Sequence, residues 1–368
     1  MPPKKKPPPG QFCDLTEKRG IKVYYEVTGP GKKEWQDEKE EWLLMLPGSV
    51  ADLRRTTDQQ FLNLSMPFFK VVAYDHRNTG QTTVADEPCT METYADDAAA
   101  LLEAVIPADK VPVHVIGISF GGMVAQHLAI RHPHLIKKLV LCCCATGGEG
   151  GMSYPIHDWY EPGVTVEERV LKKIAQANTD RTEEWKEKSK SEFQMVHALL
   201  TRDEKVGSDG PLQAAGIQRQ LEARRAHDTW GRIGELEMPV LCLGSRKDNI
   251  TPPDLTGGMA RRIGPNAEAR LDLDWGHPFI AADPAAMPYV NQWLRGPGRG
   301  AGGPAWRVVG GGAAGGILVR RAADTTSEAE AERLATGSLV SELELRADQG
   351  RLRYALLRGS GPETGWVS

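Results

Sequence analysis

Apolar runs bounded by turn residues alternate along the chain with longer segments of helical periodicity. Seven short apolar runs predict strands, at 21–27, 42–46, 70–74, 112–116, 137–142, 239–243 and 268–273. Between them, apolar residues at helical spacing predict helices at 53–65, 90–106, 119–132, 254–263 and 281–294. Strands that alternate with helices form a mostly parallel sheet covered by helices on both faces. The pattern therefore predicts an α/β fold.

This alternation is interrupted between about 147 and 236. The interruption contains charged helical segments at 164–177, 181–200 and 211–227, and the strand pattern resumes at Pro239. An insertion between two parallel strands lies at their carboxyl ends, over the crevice where such sheets bind ligands. The pattern predicts a helical lid, and a purely structural insertion is the alternative.

The remainder of the chain has a different pattern. Residues 296–304 are rich in glycine and proline, as domain linkers are, and 305–368 contain short β-like runs with helical periodicity only in SEAEAERL. We therefore expect a charged, proline-rich arm at 1–11, a main domain at 12–295, a linker at 296–304 and a small all-β module at 305–368.

Composition and charge exclude several classes of protein. The 45 basic and 49 acidic residues give a net charge of -4, so no positive field favours nucleic acid. No apolar stretch approaches the ~20 residues that a membrane helix needs. MPPKKKPPPG is followed by no apolar segment of a secretory signal, so we expect a cytoplasmic protein. The KKK run is typical of a solvated arm, with a nuclear-localisation or lipid-surface patch as the alternative.

The six cysteines form no C-x-x-C pair. The run Cys142-Cys143-Cys144 follows the apolar residues LVL, which favours buried thiols over metal ligands or disulfides. We therefore predict no metal site and no organic cofactor.

The strongest chemical signal is Gly117-Ile118-Ser119-Phe120-Gly121, between a predicted strand and a predicted helix. In that setting the G-x-S-x-G pattern places a serine on a tight turn, where Gly117 and Gly121 leave room and the hydroxyl is exposed above the sheet. The pattern predicts that Ser119 is a nucleophile.

A serine hydroxyl needs a base to remove its proton and an acid to orient that base. In this kind of sheet the expected chain order is serine, acid, histidine. Asp248 follows the strand at 239–243 and His277 follows the strand at 268–273, so both occur in that order. We predict Asp248 as the orienting acid and His277 as the base, with Glu149 as a fallback acid.

The negative oxygen of a tetrahedral intermediate needs two preorganised amides, each worth roughly 3 kcal/mol. Phe120, directly after the nucleophile, provides one. The loop LPGSVAD after the strand at 42–46 offers the amide of Ser49 as the second, although an ordinary Pro-Gly turn explains that loop equally well.

These segments resemble a known family. LPGS, YDHRNTGQT, GISFGGMVAQHLAIRHPHLIKKLVL, PVLCLGSRKDNITPP and GHPF are similar to the α/β-hydrolases that include 3-oxoadipate enol-lactonases and haloperoxidase-like esterases. The resemblance covers about 12–295 and implies the same triad and oxyanion amides. Family members usually carry histidine where this chain has Pro47, which affects loop geometry more than the triad. Ser119 argues against dehalogenases and epoxide hydrolases, whose nucleophile is aspartate.

The C-terminal segment resembles bacterial-type SH3-like β-barrels, a fold that commonly binds proteins or peptides, and a structural appendage is the alternative. Gly310 to Gly315 match the dinucleotide pattern G-x-G-x-x-G, but a strand-like run follows them, which excludes that site.

Together these features predict a serine hydrolase that cleaves a small-molecule ester or lactone through an acyl-enzyme. A ligand sensor without turnover, an acyltransferase and a lyase are the alternatives on the same scaffold. Arg219, Arg224 and Arg225 could bind a substrate carboxylate, but QRQLEARR is more typical of a solvated helix face.

Overall fold

The computed structural model describes residues 10–29, 41–55, 69–206, 211–296, 305–346, 349–362 and 364–368. The chain divides into two compact units, Met1–Pro288 and Tyr289–Ser368. Most of the predicted arm and linker, and most of the predicted helix at 53–65, lie outside the described residues.

Eight strands form the sheet of the first unit. They are β1 (Gln11–Leu15), β2 (Ile21–Thr28), β3 (Glu41–Leu46), β4 (Phe69–Tyr74), β5 (Val113–Ile118), β6 (Ile136–Cys142), β7 (Val240–Ser245) and β8 (Ala267–Leu273). Their order across the sheet is β1-β2-β4-β3-β5-β6-β7-β8. The pairs β1–β2 and β2–β4 are antiparallel, and all other neighbours are parallel. The predicted mostly parallel sheet is confirmed, and β1 is a strand that the pattern analysis missed.

The central strands of this sheet are buried on both faces. Every residue from Leu43 to Leu46 on β3 is at most 1% exposed, although neighbouring residues point to opposite faces. Such continuous burial is typical of parallel sheets and explains why these strands are unbroken apolar runs in the sequence. It leaves the strand ends and the loops beyond them as the place for polar side chains.

The described helices largely follow the sequence pattern. They are α1 (Thr16–Arg19), α2 (Met91–Val105), α3 (Phe120–Arg131), α4 (Val166–Ala177), α5 (Glu183–Lys188), α6 (Lys190–Lys205), α7 (Pro211–Arg225), α8 (Pro253–Ile263), α9 (Phe279–Ala282) and α10 (Ala286–Arg295).

Two segments that the pattern predicts as single helices are each divided. The segment predicted at 281–294 is interrupted after Ala282, because Pro284 disfavours a helical conformation at the residue before it. The segment predicted at 181–200 is divided at Ser189, whose φ of -119° and ψ of 46° are not helical.

The predicted helical insertion lies between β6 and β7 and contains α4 to α7. Helix α4 begins at a capping box, in which the Thr165 hydroxyl accepts a hydrogen bond from the Glu168 amide and the Glu168 carboxylate accepts one from the Thr165 amide. Its Val170 and Ile174 are fully buried. One face of α4 is therefore buried. The insertion begins after the carboxyl end of β6.

The second unit contains an antiparallel six-stranded sheet. Its strands are β9 (Ala305–Arg307), β10 (Ile317–Arg320), β11 (Ala329–Leu334), β12 (Leu339–Arg346), β13 (Arg351–Arg358) and β14 (Thr364–Val367), in the order β11-β10-β14-β13-β12-β9. The predicted all-β character is confirmed, but the helical interpretation of SEAEAERL is wrong. Alanine and glutamate favour helix in isolation, yet pairing of β11 with β10 buries Leu334 in the core of this unit.

No helix among the described residues is both long enough and apolar enough to cross a membrane.

Candidate active site

Ser119 lies on a sharp turn between β5 and α3. Its φ of 53° and ψ of -115° are unfavourable for a residue with a side chain, and such strain is typical of functional sites. The turn is tight because a Cβ on Gly121 would lie 2.1 Å from the Leu46 carbonyl oxygen, and one on Gly117 would lie 2.5 Å from the Gly121 carbonyl oxygen. Only glycine fits at either position, as the G-x-S-x-G pattern predicts.

A continuous hydrogen-bond chain joins Ser119, His277 and Asp248. Ser119 Oγ lies 3.0 Å from His277 Nε2, and His277 Nδ1 lies 2.8 Å from Asp248 Oδ2. With Asp248 ionised, Nδ1 carries the ring proton, so Nε2 accepts the hydrogen bond from the serine hydroxyl. The structure thus brings together three predicted residues that are up to 158 positions apart.

The Asp248 carboxylate is held on its other side by backbone amides. Its Oδ1 accepts hydrogen bonds from the amides of Ile250 and Thr251, at 2.9 and 2.8 Å, and its side chain is fully buried. These donors fix the orientation of the carboxylate. The fallback acid Glu149 is instead exposed, in a short 3-10 turn at Gly148–Gly150.

The loop that carries His277 is tied to the neighbouring strand and to the insertion. Ser245 at the end of β7 accepts a hydrogen bond from the Trp275 amide at 2.9 Å and donates one to the Leu273 carbonyl. The His277 amide donates to the carbonyl of Ala177, the last residue of α4, at 2.5 Å. The histidine is therefore positioned by contacts on both sides.

The loop after β3 passes directly beside Ser119. A Cβ on Gly48 would lie 3.8 Å from Ser119 Cβ, so Ser49 follows a residue that touches the nucleophile. Phe120 is the first residue of α3, where a backbone amide has no partner within the helix. Phe120 is therefore adjacent to Ser119, and Ser49 follows the loop residue that lies beside it.

His76 holds this loop, and sequence analysis did not assign it to the site. Its Nε2 lies 3.1 Å from the Pro47 carbonyl oxygen, and its ring packs edge-on against Tyr94 and Phe120. Complete burial lowers the pKa of His76 to about 4, so the ring is neutral at neutral pH and Nε2 carries the proton it donates. The sequence feature that could have indicated this role is the position of His76 just after β4, the strand that pairs with β3.

An apolar cluster joins the insertion to two of the catalytic loops. It consists of Val50, Ile156, Trp159, Tyr160, Leu221 and Ile250. Val50 follows Ser49, and Ile250 lies two residues after Asp248, while the other four residues belong to the insertion. The insertion and the two catalytic loops thus share a buried hydrophobic core.

The three arginines of α7 have different environments. Arg225 is exposed, and Arg219 lies 3.8 Å from the exposed carboxylate of Asp86. Arg224 is 4% exposed and donates to Ser153 Oγ and to the Tyr154 carbonyl, both at 2.8 Å, and burial lowers its pKa to about 10. The solvated-face interpretation is therefore wrong for Arg224, because that side of α7 faces the protein.

The three consecutive cysteines are buried, as predicted, and each is a free thiol outside any disulfide in the structure. Burial raises the pKa of the Cys143 thiol well above its usual range, and the nearby Asp248 charge acts in the same direction. Among the described residues, Cys143, Asp248 and His277 offer three potential metal ligands within 4.8 Å of one another. A metal there would compete for the atoms that join His277 to Asp248, and the prediction of no metal stays a prediction.

Comparison with known proteins identifies the family. A model of the Hydrolase_4 family, described as serine aminopeptidase S33, matches residues 38–277, more than half of the chain. The chain belongs to this family. The resemblance to α/β-hydrolases noted in the sequence is thereby confirmed for the first unit.

Individual relatives match a little more than half of the chain. The chain is 29% identical over 212 residues to a protein of Agrobacterium fabrum that carries the name carbamate hydrolase RutD, over 56% of this chain and 75% of the relative. It is 28% identical to the pimeloyl-[acyl-carrier protein] methyl ester esterase of Neisseria meningitidis, over 57% and 64% of the two chains.

Among solved structures, the enol-lactonase of Burkholderia xenovorans superposes with a TM-score of 0.59 at 18% identity, over 77% of this chain and 99% of that one. At this identity the likeness shows the fold alone. The family is one of hydrolases, and the two relatives carry the names of a carbamate hydrolase and a methyl ester esterase.

Proposed function

We propose that this protein is a serine hydrolase that cleaves a carboxylic ester or lactone through an acyl-enzyme, with Ser119, His277 and Asp248 as its triad. The observation that carries the proposal is the continuous hydrogen-bond chain from Ser119 Oγ through His277 to Asp248. The membership of a hydrolase family gives it independent support.

In the proposed reaction, His277 Nε2 takes the proton of the Ser119 hydroxyl while Oγ forms a bond to the substrate carbonyl carbon. The carbonyl oxygen becomes negative and accepts hydrogen bonds from the amides of Ser49 and Phe120. His277 then gives its proton to the leaving oxygen as the carbon–oxygen bond breaks. Water repeats the sequence on the acyl-enzyme, releasing the carboxylic acid and restoring the serine.

The electrostatics of the site support this cycle. The imidazolium formed on His277 lies against the buried carboxylate of Asp248, which two amides hold in place. Because the carboxylate is already oriented and dehydrated, it stabilises the charge without reorganisation during the reaction. No step requires a metal or an organic cofactor.

We further propose that the insertion at about 147–236, which contains α4 to α7, forms a lid over this site and that the substrate is a neutral ester or lactone. The support is the hydrophobic cluster that unites Trp159, Tyr160 and Leu221 of the insertion with Val50 and Ile250 of the catalytic loops. A carboxylate-bearing substrate is less well matched, because Arg224 already donates to Ser153 and Tyr154.

The test is hydrolysis of a panel of p-nitrophenyl esters and lactones by the full chain, with Ser119→Ala as the control. We expect turnover of neutral esters, loss of turnover in Ser119→Ala, and labelling of Ser119 by a fluorophosphonate. Folded protein that is neither labelled nor active would refute the proposal. Labelling with ligand binding but negligible turnover would favour a sensor, and acyl transfer to an added alcohol would favour an acyltransferase.

For the second unit we propose an SH3-like module that binds a protein or peptide, and for the whole protein a cytoplasmic location. The antiparallel sheet and its compact core of Val319, Leu334, Val340 and Tyr354 support the module. Removing residues 297–368 should leave ester hydrolysis intact and abolish capture of a peptide ligand from a display library. Loss of hydrolysis in the folded, shortened protein would contradict this division of roles.

A further inference from the structure

Several hydrogen bonds join the insertion to the loops that carry the candidate catalytic residues. Three of them link backbone groups of Tyr154 with Ile250, Ala177 with His277, and Thr179 with Lys247. Two others are accepted by glutamine side chains: Gln176 Oε1 accepts from Asn249 Nδ2 at 2.8 Å, and Gln220 Oε1 on α7 accepts from the Val50 amide at 2.7 Å. The second of these bonds connects the insertion to the loop proposed to form the oxyanion hole.

Val50 has a backbone conformation that needs such support. Its φ of 56° lies in the left-handed region, which is a genuine outlier for a β-branched residue. Strained conformations of this kind persist only where the surroundings impose them. The Gly48–Ser49 peptide, which carries the Ser49 amide, lies one residue before Val50, so a change of backbone conformation at Val50 would displace the short segment that carries this amide.

Gln220 is placed to impose that conformation. Its side chain is completely buried, and its Nε2 is a buried donor with no hydrogen-bond partner among the described residues. A buried amide that is only half satisfied is costly. Gln220 thus keeps its hydrogen bond with the Val50 amide although burial leaves its own Nε2 without a partner among the described residues.

We propose that Gln220 is a positioning residue for the oxyanion hole. Its Oε1 holds Val50 in the left-handed conformation and so keeps the Ser49 amide aligned with the Phe120 amide across from Ser119. This inference rests on the proposed function and adds to it that α7 of the insertion belongs to the catalytic geometry, in addition to covering the substrate.

The main test compares Gln220→Met with Gln218→Met. Gln218 lies on the same helix and its Nε2 donates to the Tyr160 carbonyl at 2.6 Å, so its variant also loses one side chain–backbone hydrogen bond, but away from the oxyanion loop. With an ester that the wild type cleaves, we expect kcat to fall about 10- to 100-fold in Gln220→Met, with KM within about threefold. In Gln218→Met we expect kcat within about threefold of wild type.

A second substitution tests whether the backbone of Val50 carries the effect. Glycine adopts a positive φ at no steric cost, so adding Val50→Gly to Gln220→Met should recover part of the lost kcat. A trifluoromethyl ketone, whose adduct places a negative oxygen between the two amides, should bind more weakly to Gln220→Met by about the same factor as kcat/KM falls. If Gln220→Met does not fold, Gln220→Asn, which is one methylene too short to reach Val50, should show the same losses.

Equal kcat in Gln220→Met and Gln218→Met, or a lower kcat without weaker ketone binding, would overturn the inference. The rate of fluorophosphonate labelling separates this result from failure of the proposed function, because phosphonylation uses the same amides and needs no ester turnover. Slower labelling of Gln220→Met alone supports the inference even if no ester in the panel is a substrate. Equal labelling rates in the two variants refute it.

Discussion

Replacing Gly121 by alanine should damage catalysis more than it damages the fold. The added Cβ would lie 2.1 Å from the Leu46 carbonyl oxygen and 2.5 Å from that of Pro47, both of them backbone atoms. An ordinary contact is about 3.4 Å or longer, so the start of α3 and the end of β3 must separate by about 1 Å. That displacement moves the Phe120 amide away from the loop that carries Ser49.

The size of the effect follows from this displacement. Misplacing a reacting group by 1 Å costs about 100-fold in rate, or about 2.7 kcal/mol of transition-state stabilisation. Overpacking lowers the free energy of unfolding by about 1–3 kcal/mol. We therefore expect Gly121→Ala to remain folded at 25 °C with kcat reduced about 100-fold.

The assay measures kcat for the best ester of the panel and the free energy of unfolding in urea. The matched control is Gly231→Ala, since a Cβ on Gly231 meets no atom within 4 Å and its φ is not in the left-handed region. We expect that control to keep wild-type kcat. If Gly121→Ala keeps kcat within threefold of the control, the close approach of α3 to β3 is not what aligns the two amides.

Three further predictions concern the charged and titratable residues. Asp248→Asn should lower kcat about 10⁴-fold with little change in melting temperature, because Oδ1 still accepts from its two amides; a loss below tenfold contradicts the proposed role. Burial lowers the pKa of His227 to about 3 from 6.5, so the unfolded chain takes up this proton first and stability is lost as pH falls below 6.5. Between pH 6 and 4 the free energy of unfolding of His227→Phe should therefore change less steeply than that of wild type, by about 1.4 kcal/mol per pH unit, in urea titrations. Arg77→Met breaks a bidentate ion pair with the buried Asp97 and should cost about 3 kcal/mol of stability without lowering kcat of the folded enzyme.

The sequence predicts the parts of this molecule that have a local signature. The parallel strands end within two residues of the predicted positions, because most of them are short apolar runs that are buried on both faces; the edge strand β8 is the exception, with several partly or fully exposed residues. Ser119 has the glycines that a tight turn demands, and the loops of Asp248 and His277 follow strands in a fixed order. The strand β11 was missed because alanine and glutamate favour helix locally, and only its pairing with β10 reverses that preference.

The contacts that hold the site in place have no such signature. Gln220 lies within QRQLEARR, which is typical of a solvated face, and its partner Val50 is 170 positions away. The left-handed conformation of a valine cannot be inferred from its neighbours, because local sterics oppose it. His76 could be recognised as a residue of the site only once β4 and β3 were known to be adjacent, because that pairing brings it to the loop after β3.

These two contacts act on the same short loop. His76 holds the Pro47 carbonyl at one end and Gln220 holds the Val50 amide at the other, with Gly48 and Ser49 between them. The family histidine that Pro47 replaces is thus not needed to tether this loop, because the tethers come from β4 and from the insertion. Since both residues restrain one segment, their effects should not be additive. If loss of either tether already releases the Ser49 amide, His76→Phe combined with Gln220→Met should lower kcat little further than the worse single variant. A double-mutant cycle with all four proteins measures this coupling, and a product of two independent losses would show that the tethers act on different parts of the site.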